Sequence, residues 1–246
     1  MVYNLGNNGA HISPALSLAD ILAVLFNEIT DVKRCDFKKN IRDRFILSKG
    51  HGAPAYYAVL YEKKIITEDE FDTFDKNGGN YPGQPSKNLD AGIDYSGGSL
   101  GLGLSYACGL SLSQKGENNH IYVLLGDGEC NEGTVWESAM FAGFHKLNNI
   151  TAIVDYNRMQ SDGFSADILE FDLKAMFKAC NWELIECDGH NTVELKKAFE
   201  VKSEKPKVII ARTIKGKGVS FMENKQEWHH NRITKEQYDV AMKELA

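Results

Sequence analysis

At 246 residues, 43% of them hydrophobic and 25% charged, the chain carries enough apolar material for one α/β domain with a proper core. Its formal net charge of −6 argues against nucleic acid or an anionic membrane surface as the main partner. The opening MVYNLGNNGAHIS lacks a basic, apolar leader and no stretch approaches membrane-spanning length, while the five cysteines (Cys35, Cys108, Cys130, Cys180, Cys187) contain no CxxC pair; reduced thiols in a cytoplasmic protein are expected.

In chain order, helical periodicity covers Pro14 to Phe26, with Ser13 as a start signal before a proline. A short apolar run, Arg44 to Leu47, leads into the glycine turn SKGHG, and a second helix is predicted over Ala53 to Lys63. Residues 77–98 are rich in Gly, Pro, Asn and Asp and read as a long ordered loop; a small-residue helix, Leu100 to Leu112, follows. Then strands and helices alternate: strand 121–126, helix Gly133 to Leu147, strand 151–156, helix Leu169 to Ala179, strand Glu183 to Cys187, helix Asn191 to Val201 and strand 207–212. A last helix is predicted from Thr234 to Leu245. This alternation of continuous apolar strands with helices predicts an α/β fold, a doubly wound, mostly parallel sheet flanked by helices, with ligands beyond the carboxyl ends of its strands.

The turns after Leu47, Leu125 and Tyr156 all fall at that end. Asp127, in Gly126-Asp127-Gly128, follows one buried strand, and Asn157 follows the next, one strand–helix–strand unit later. If those strands are neighbours, a carboxylate and a carboxamide oxygen meet at one sheet edge, a donor pair suited to a hard cation such as Mg²⁺ that completes its shell with water and phosphate oxygens. Gly126 and Gly128 would let backbone approach a diphosphate, and the helix opening near Gly133 offers its positive end. A GDG turn alone carries little information; its setting between buried strand, helix and strand-terminal Asn gives it weight.

The segment GDGECNEGTVWESAMFAGFHKLNNITAIVDYNRMQSDG resembles the thiamine-diphosphate motif of transketolases and deoxyxylulose-phosphate synthases. HISPALSLADILAVLF, RDRFILSKGHG, GGSLGLGLSYACG and ARTIKGKGVSFMEN followed by Trp228-His229 resemble the family's other motifs in the same order, so the likeness spans essentially the whole chain. The resemblance implies a thiamine-diphosphate-binding fold, with residues 1–246 as a single diphosphate-binding domain. It implies Mg²⁺, or Ca²⁺ or Mn²⁺ in its place, held by the side chains of Asp127 and Asn157 and the carbonyl of Met159. Gly128 would face the diphosphate, and Gly98 and Leu100 the aminopyrimidine. His51 and His229 would line the cofactor and its intermediates, His11 would face substrate, and Glu132 matches an acidic residue near the subunit interface. His120, His145, His190 and His230 are read as surface or satisfied core residues.

The family also needs a glutamate from a pyrimidine-binding domain, which the motifs of this chain do not supply. The expectation is a split transketolase: a second, C-terminal subunit carries that domain and the activating Glu, in an α2β2 heterotetramer that transfers a two-carbon ketol unit between sugars. Three positions depart from the family pattern: Gly83-Gln84-Pro85 where transketolases have GHP, Leu102 between glycines where a Gln is common, and Ser161 for an apolar residue. They keep open a carboligase or decarboxylase acting on a 2-oxoacid or a modified sugar. A non-catalytic phosphate-binding subunit is disfavoured by the intact Asp127 and Asn157.

Overall fold

A computed structural model describes residues 9–30 and 39–246; Cys35 lies outside them. Five strands, β1 (Arg44–Leu47), β2 (Ile121–Gly126), β3 (Ile150–Tyr156), β4 (Glu183–Asp188) and β5 (Lys207–Arg212), form a wholly parallel sheet in the order β1-β2-β3-β5-β4. The helices are α1 (Ile12–Leu16), α2 (Ala19–Val24), α3 (Ala53–Glu62), α4 (Glu68–Phe71), α5 (Leu102–Ser113), α6 (Gly133–Phe144), α7 (Ser165–Ile168), α8 (Leu173–Ala179), α9 (Thr192–Glu200) and α10 (Lys235–Glu244).

The expected α/β architecture is the one observed, and the alternation along β2 shows why. Tyr122 and Leu124 join a core with residues of α2, α3 and α9, among them Leu22, Tyr56, Leu60 and Leu195. Ile121, Val123 and Leu125 point the other way, into a second core with Leu104 of α5, Val135 and Ala139 of α6 and Phe177 of α8. A strand covered on both faces must be apolar throughout, which is why IYVLLG is buried at every position. Each large side chain so buried contributes about 1.5–3 kcal/mol. A smaller cluster, Val219, Met222, Trp228 and Ala241, fastens α10 and the KGKG loop beside the sheet's carboxyl edge. Among the described residues no helix is long and apolar enough to cross a membrane.

Three elements differ from expectation. The helix over Pro14 to Phe26 is broken: α1 starts at Ile12, with His11 as its cap residue, and stops at Leu16, and α2 runs into a π-helical turn, Leu25–Ile29. The break falls where Ser17 Oγ turns to Pro14 O (3.0 Å) and Asp155 Oδ2 (2.6 Å), a tertiary contact invisible to helical periodicity. Ser13 is no cap; it is buried and donates to Met222 O at 3.4 Å. The helix drawn from Leu169 begins only at Leu173, capped by Asp172 Oδ1, which accepts from Lys174 N and Ala175 N at 3.0 Å. Leu100 lies outside α5, whose first residue is Leu102.

Candidate functional site

Strands β2 and β3 are neighbours, paired Gly126 to Asp155 at their last rung. That register brings Asp127 and Asn157 to one edge, each one residue beyond the end of its strand. Asp127 is buried, its Oδ1 accepting from Gly128 N (2.8 Å) and its Oδ2 from Arg158 N. Asn157 Oδ1 accepts from Met159 N (3.0 Å) and Nδ2 donates to Asp155 Oδ2 (3.3 Å). Arg158, at φ +60°, makes the left-handed turn that carries the chain from Asn157 to a buried Met159.

Two buried carboxyls thus sit side by side, shifted in opposite directions. Burial pushes the Asp155 carboxyl up, but the Lys49 ammonium (Nζ to Oδ2, 2.5 Å) and hydrogen bonds from Lys49, Ser17 and Thr213 outweigh it, so it is held below the usual range. Asp127 has no ion pair among the described residues; burial first, then Asp155, raise its carboxyl to about 7 against the pull of two backbone N–H groups and Lys49. An uncompensated buried carboxylate of this kind is what a bound cation would stabilise. No three His, Cys, Asp or Glu side chains group as metal ligands among the described residues. The available donors are one carboxylate, one carboxamide and backbone carbonyls, all hard oxygens that fit a cation sharing its shell with phosphate.

Around the turn after β1, three imidazoles converge. His51 sits in the 3₁₀ turn after β1, His11 caps α1 and His229 follows a turn at Gln226–Trp228. Their ring centroids are 5.3–5.5 Å apart. Burial lowers all three: His11 to about 4, with His230, Lys49 and Lys215 adding to the effect; His229 to about 3, with Lys215 the next cause; His51 well below its usual value. All three are therefore neutral near pH 7. Lys215 Nζ lies 2.8 Å from His229 Nδ1 and donates to Gln160 O at 2.9 Å, and burial lowers it to about 8. An ammonium only donates, so Nδ1 of His229 accepts and its proton sits on Nε2.

Gly98, exposed and at φ +129°, has open space where a side chain would stand; Leu100 is half-buried beside it. A Cβ on Gly128 would meet Gln160 Cγ at 2.9 Å. Glu132 is exposed at the start of α6, its Cβ close to Gly101. Gln84 lies over Gly50, and with His11, Asp75, Ser86, Gly97 and His230 it lines a cleft of about 430 Å³. Cys130 is buried in the core, and burial pushes its thiol well up, which suits a filler rather than a reactive group.

Sequence reasoning missed Lys49, Asp155, Lys215 and Glu129. Glu129 is buried and accepts from Ser48 Oγ (2.5 Å), Gly101 N (2.9 Å) and Gly126 N (3.0 Å), tying the turns after β1 and β2 to the loop before α5. A signal did exist: charged residues inside apolar runs, as in IVDY and GDGEC, rarely stay buried without a task. His230 is exposed, as expected of a surface residue, and its ring lies 4.6 Å from that of His11.

The family profile described as "Transketolase, thiamine diphosphate binding domain" matches residues 4–245. The chain belongs to the transketolase family. It is 39% identical to a 6-deoxy-6-sulfo-D-fructose transketolase subunit of a Clostridium species, over 96% of this chain and 88% of that one. It is 38% identical to an apulose-4-phosphate transketolase subunit of Actinobacillus succinogenes, again over 96% and 88%. The transketolase crystal structure from Campylobacter jejuni superposes with a TM-score of 0.85 at 29% identity, covering 96% of this chain and 39% of that one. The chain thus spans about two fifths of that solved transketolase, and 38% of human transketolase, to which it is also 38% identical.

Proposed function

We propose that this chain is the diphosphate-binding subunit of a transketolase that moves a two-carbon ketol unit from a sugar or sugar phosphate donor to an aldehyde acceptor. The observation that carries the proposal is the pairing of Asp127, a buried carboxylate with no ion pair among the described residues, with Asn157 at the adjacent strand end, on a carboxyl edge that also bears His51 of a cluster of three neutral imidazoles. Asp127, Asn157 and the Met159 carbonyl are the proposed ligands of Mg²⁺, or of Ca²⁺ or Mn²⁺ in its place. Gly128, which opens the turn after β2, would face the diphosphate, while Gly98 and Leu100 would lie against the aminopyrimidine.

Thiamine diphosphate, when bound, supplies the electron sink that makes breaking and forming the carbon–carbon bond possible. The protein's share is positioning and proton traffic. His229 presents Nε2–H as a hydrogen-bond donor, because Lys215 holds Nδ1. His11 and His51, kept neutral by burial, donate through one ring nitrogen and accept through the other, which suits hydroxyls that gain or lose a proton. Lys49 holds Asp155 and so leaves Asp127 as the carboxylate free for the cation.

A partner subunit bearing the pyrimidine-binding domain and its activating Glu completes the site in an α2β2 assembly; relatives of comparable length named as subunits support this. Those relatives also carry names with unusual ketoses, and Gln84 stands where a GHP histidine is usual, so a modified sugar is the favoured donor class. The test is a ketol-transfer assay with thiamine diphosphate and Mg²⁺ on this chain alone and after adding the pyrimidine-domain subunit. Turnover only in the mixture is expected; comparable turnover by the pure chain would refute the division of labour.

A further inference from the structure

We propose that His230 is a substrate-contacting residue that grips the hydroxyl-bearing carbon chain of the sugar, supplying the imidazole that Gln84 does not; this rests on the ketol-transfer reading above. Four observations converge on it. First, His230 is exposed yet lines the same cleft as Gln84 and His11, its ring 4.6 Å from His11 and inclined at 65°. Second, the residue that follows it is anchored: Ala10 N donates to Asn231 O (3.0 Å), Asn231 N to Ala10 O (3.2 Å) and Asn231 Nδ2 to Glu227 O (3.0 Å). Third, the chain makes room for it, since a Cβ on Gly9 would come within 2.8 Å of its Cε1. Fourth, the other polar lining groups are Asp75, Gln84, Ser86 and His11, with no Lys or Arg among the described lining residues. A cleft with that inventory suits neutral hydroxyls far better than a phosphate or sulfonate.

The chemistry differs usefully between the two side chains. The Gln84 amide donates and accepts at fixed, separate atoms, whereas an imidazole can exchange the donor and acceptor roles of its two ring nitrogens by changing tautomer. Asp75 Oδ1 is engaged by Gly83 N at 3.1 Å, which holds the Gly83-Gln84-Pro85 loop over the cleft. A sugar chain entering past Gln84 therefore meets His230 beside His11.

The experiment uses the native complex with hydroxypyruvate as donor and aldehydes of increasing length as acceptors: glycolaldehyde, D-erythrose and D-ribose. His230→Ala is expected to raise KM for D-erythrose and D-ribose on the order of tenfold, the effect of losing one hydrogen bond. It should leave KM for glycolaldehyde, kcat and thiamine diphosphate affinity within about twofold, and His230→Asn should recover most of the loss. Unchanged KM across the series, or an equal fall in kcat with every acceptor, would overturn the assignment. Failure of the unmodified complex to turn over any aldehyde would instead remove the ketol-transfer reading beneath it.

Discussion

Asp127 and Asp155 are chemically identical side chains on adjacent strand ends, yet their surroundings divide the labour. Asp155 is satisfied by Lys49, Ser17 and Thr213, while Asp127 is left buried with backbone N–H groups only. The histidines show the same logic. His11 and His229 are lowered to about 4 and about 3, so they stay neutral in the folded chain while the unfolded chain takes up their protons below about 6.5. For these two groups the unfolded state then binds more protons, so the stability they contribute is full above about pH 6.5 and falls as pH drops towards about 4. Unfolding midpoints in urea measured from about pH 7.5 to about 4.5 should show this slope, and a His11→Asn, His229→Asn double variant should flatten it. An identical slope in the variant would assign the acid sensitivity to other groups. Asp127 and Asn157 were legible in the sequence because each terminates an apolar run. Asp155 left a trace as a charged residue inside the apolar run IVDY, but the partners that give it, Lys49 and Lys215 their roles lie in contacts between β1, β3 and the KGKG loop that no local pattern records.

At the scale of elements, every strand of the sheet could be read from short runs bounded by polar or glycine turns, and the longer helices from periodicity, while the one-turn helices α4 and α7 were not read. What periodicity could not see was the break between α1 and α2, where a hydroxyl is drawn across to Asp155. It also could not show that Glu129 locks the turns together. Glu129 accepts hydrogen bonds from three donors belonging to three segments. In Glu129→Gln one acceptor oxygen becomes an NH₂ facing donors, leaving at least one buried N–H or O–H unpaired, at a cost of about 1–3 kcal/mol. Thermal unfolding of the chain should show a Tm several degrees lower. An unchanged Tm would mean that the turn is held by the neighbouring core and that Glu129 is incidental to it.

For the molecule as a whole, the sheet brings its chemistry to one edge. The β1 turn carries Lys49 and His51, the β2 turn Asp127 and Glu129, and the β3 turn Asn157, while the loop after β5 brings Lys215. This is the carboxyl edge that parallel sheets offer to ligands, and the transketolase family profile covers all of it. The central claim is that this edge binds a cation together with thiamine diphosphate through Asp127. The most direct test is calorimetric titration of thiamine diphosphate into the native complex with and without Mg²⁺, for the unmodified protein and for Asp127→Asn. Binding should require the cation in the former and weaken at least roughly 10–100-fold in the latter. Equal affinity in the two proteins, or binding indifferent to Mg²⁺, would contradict the assignment.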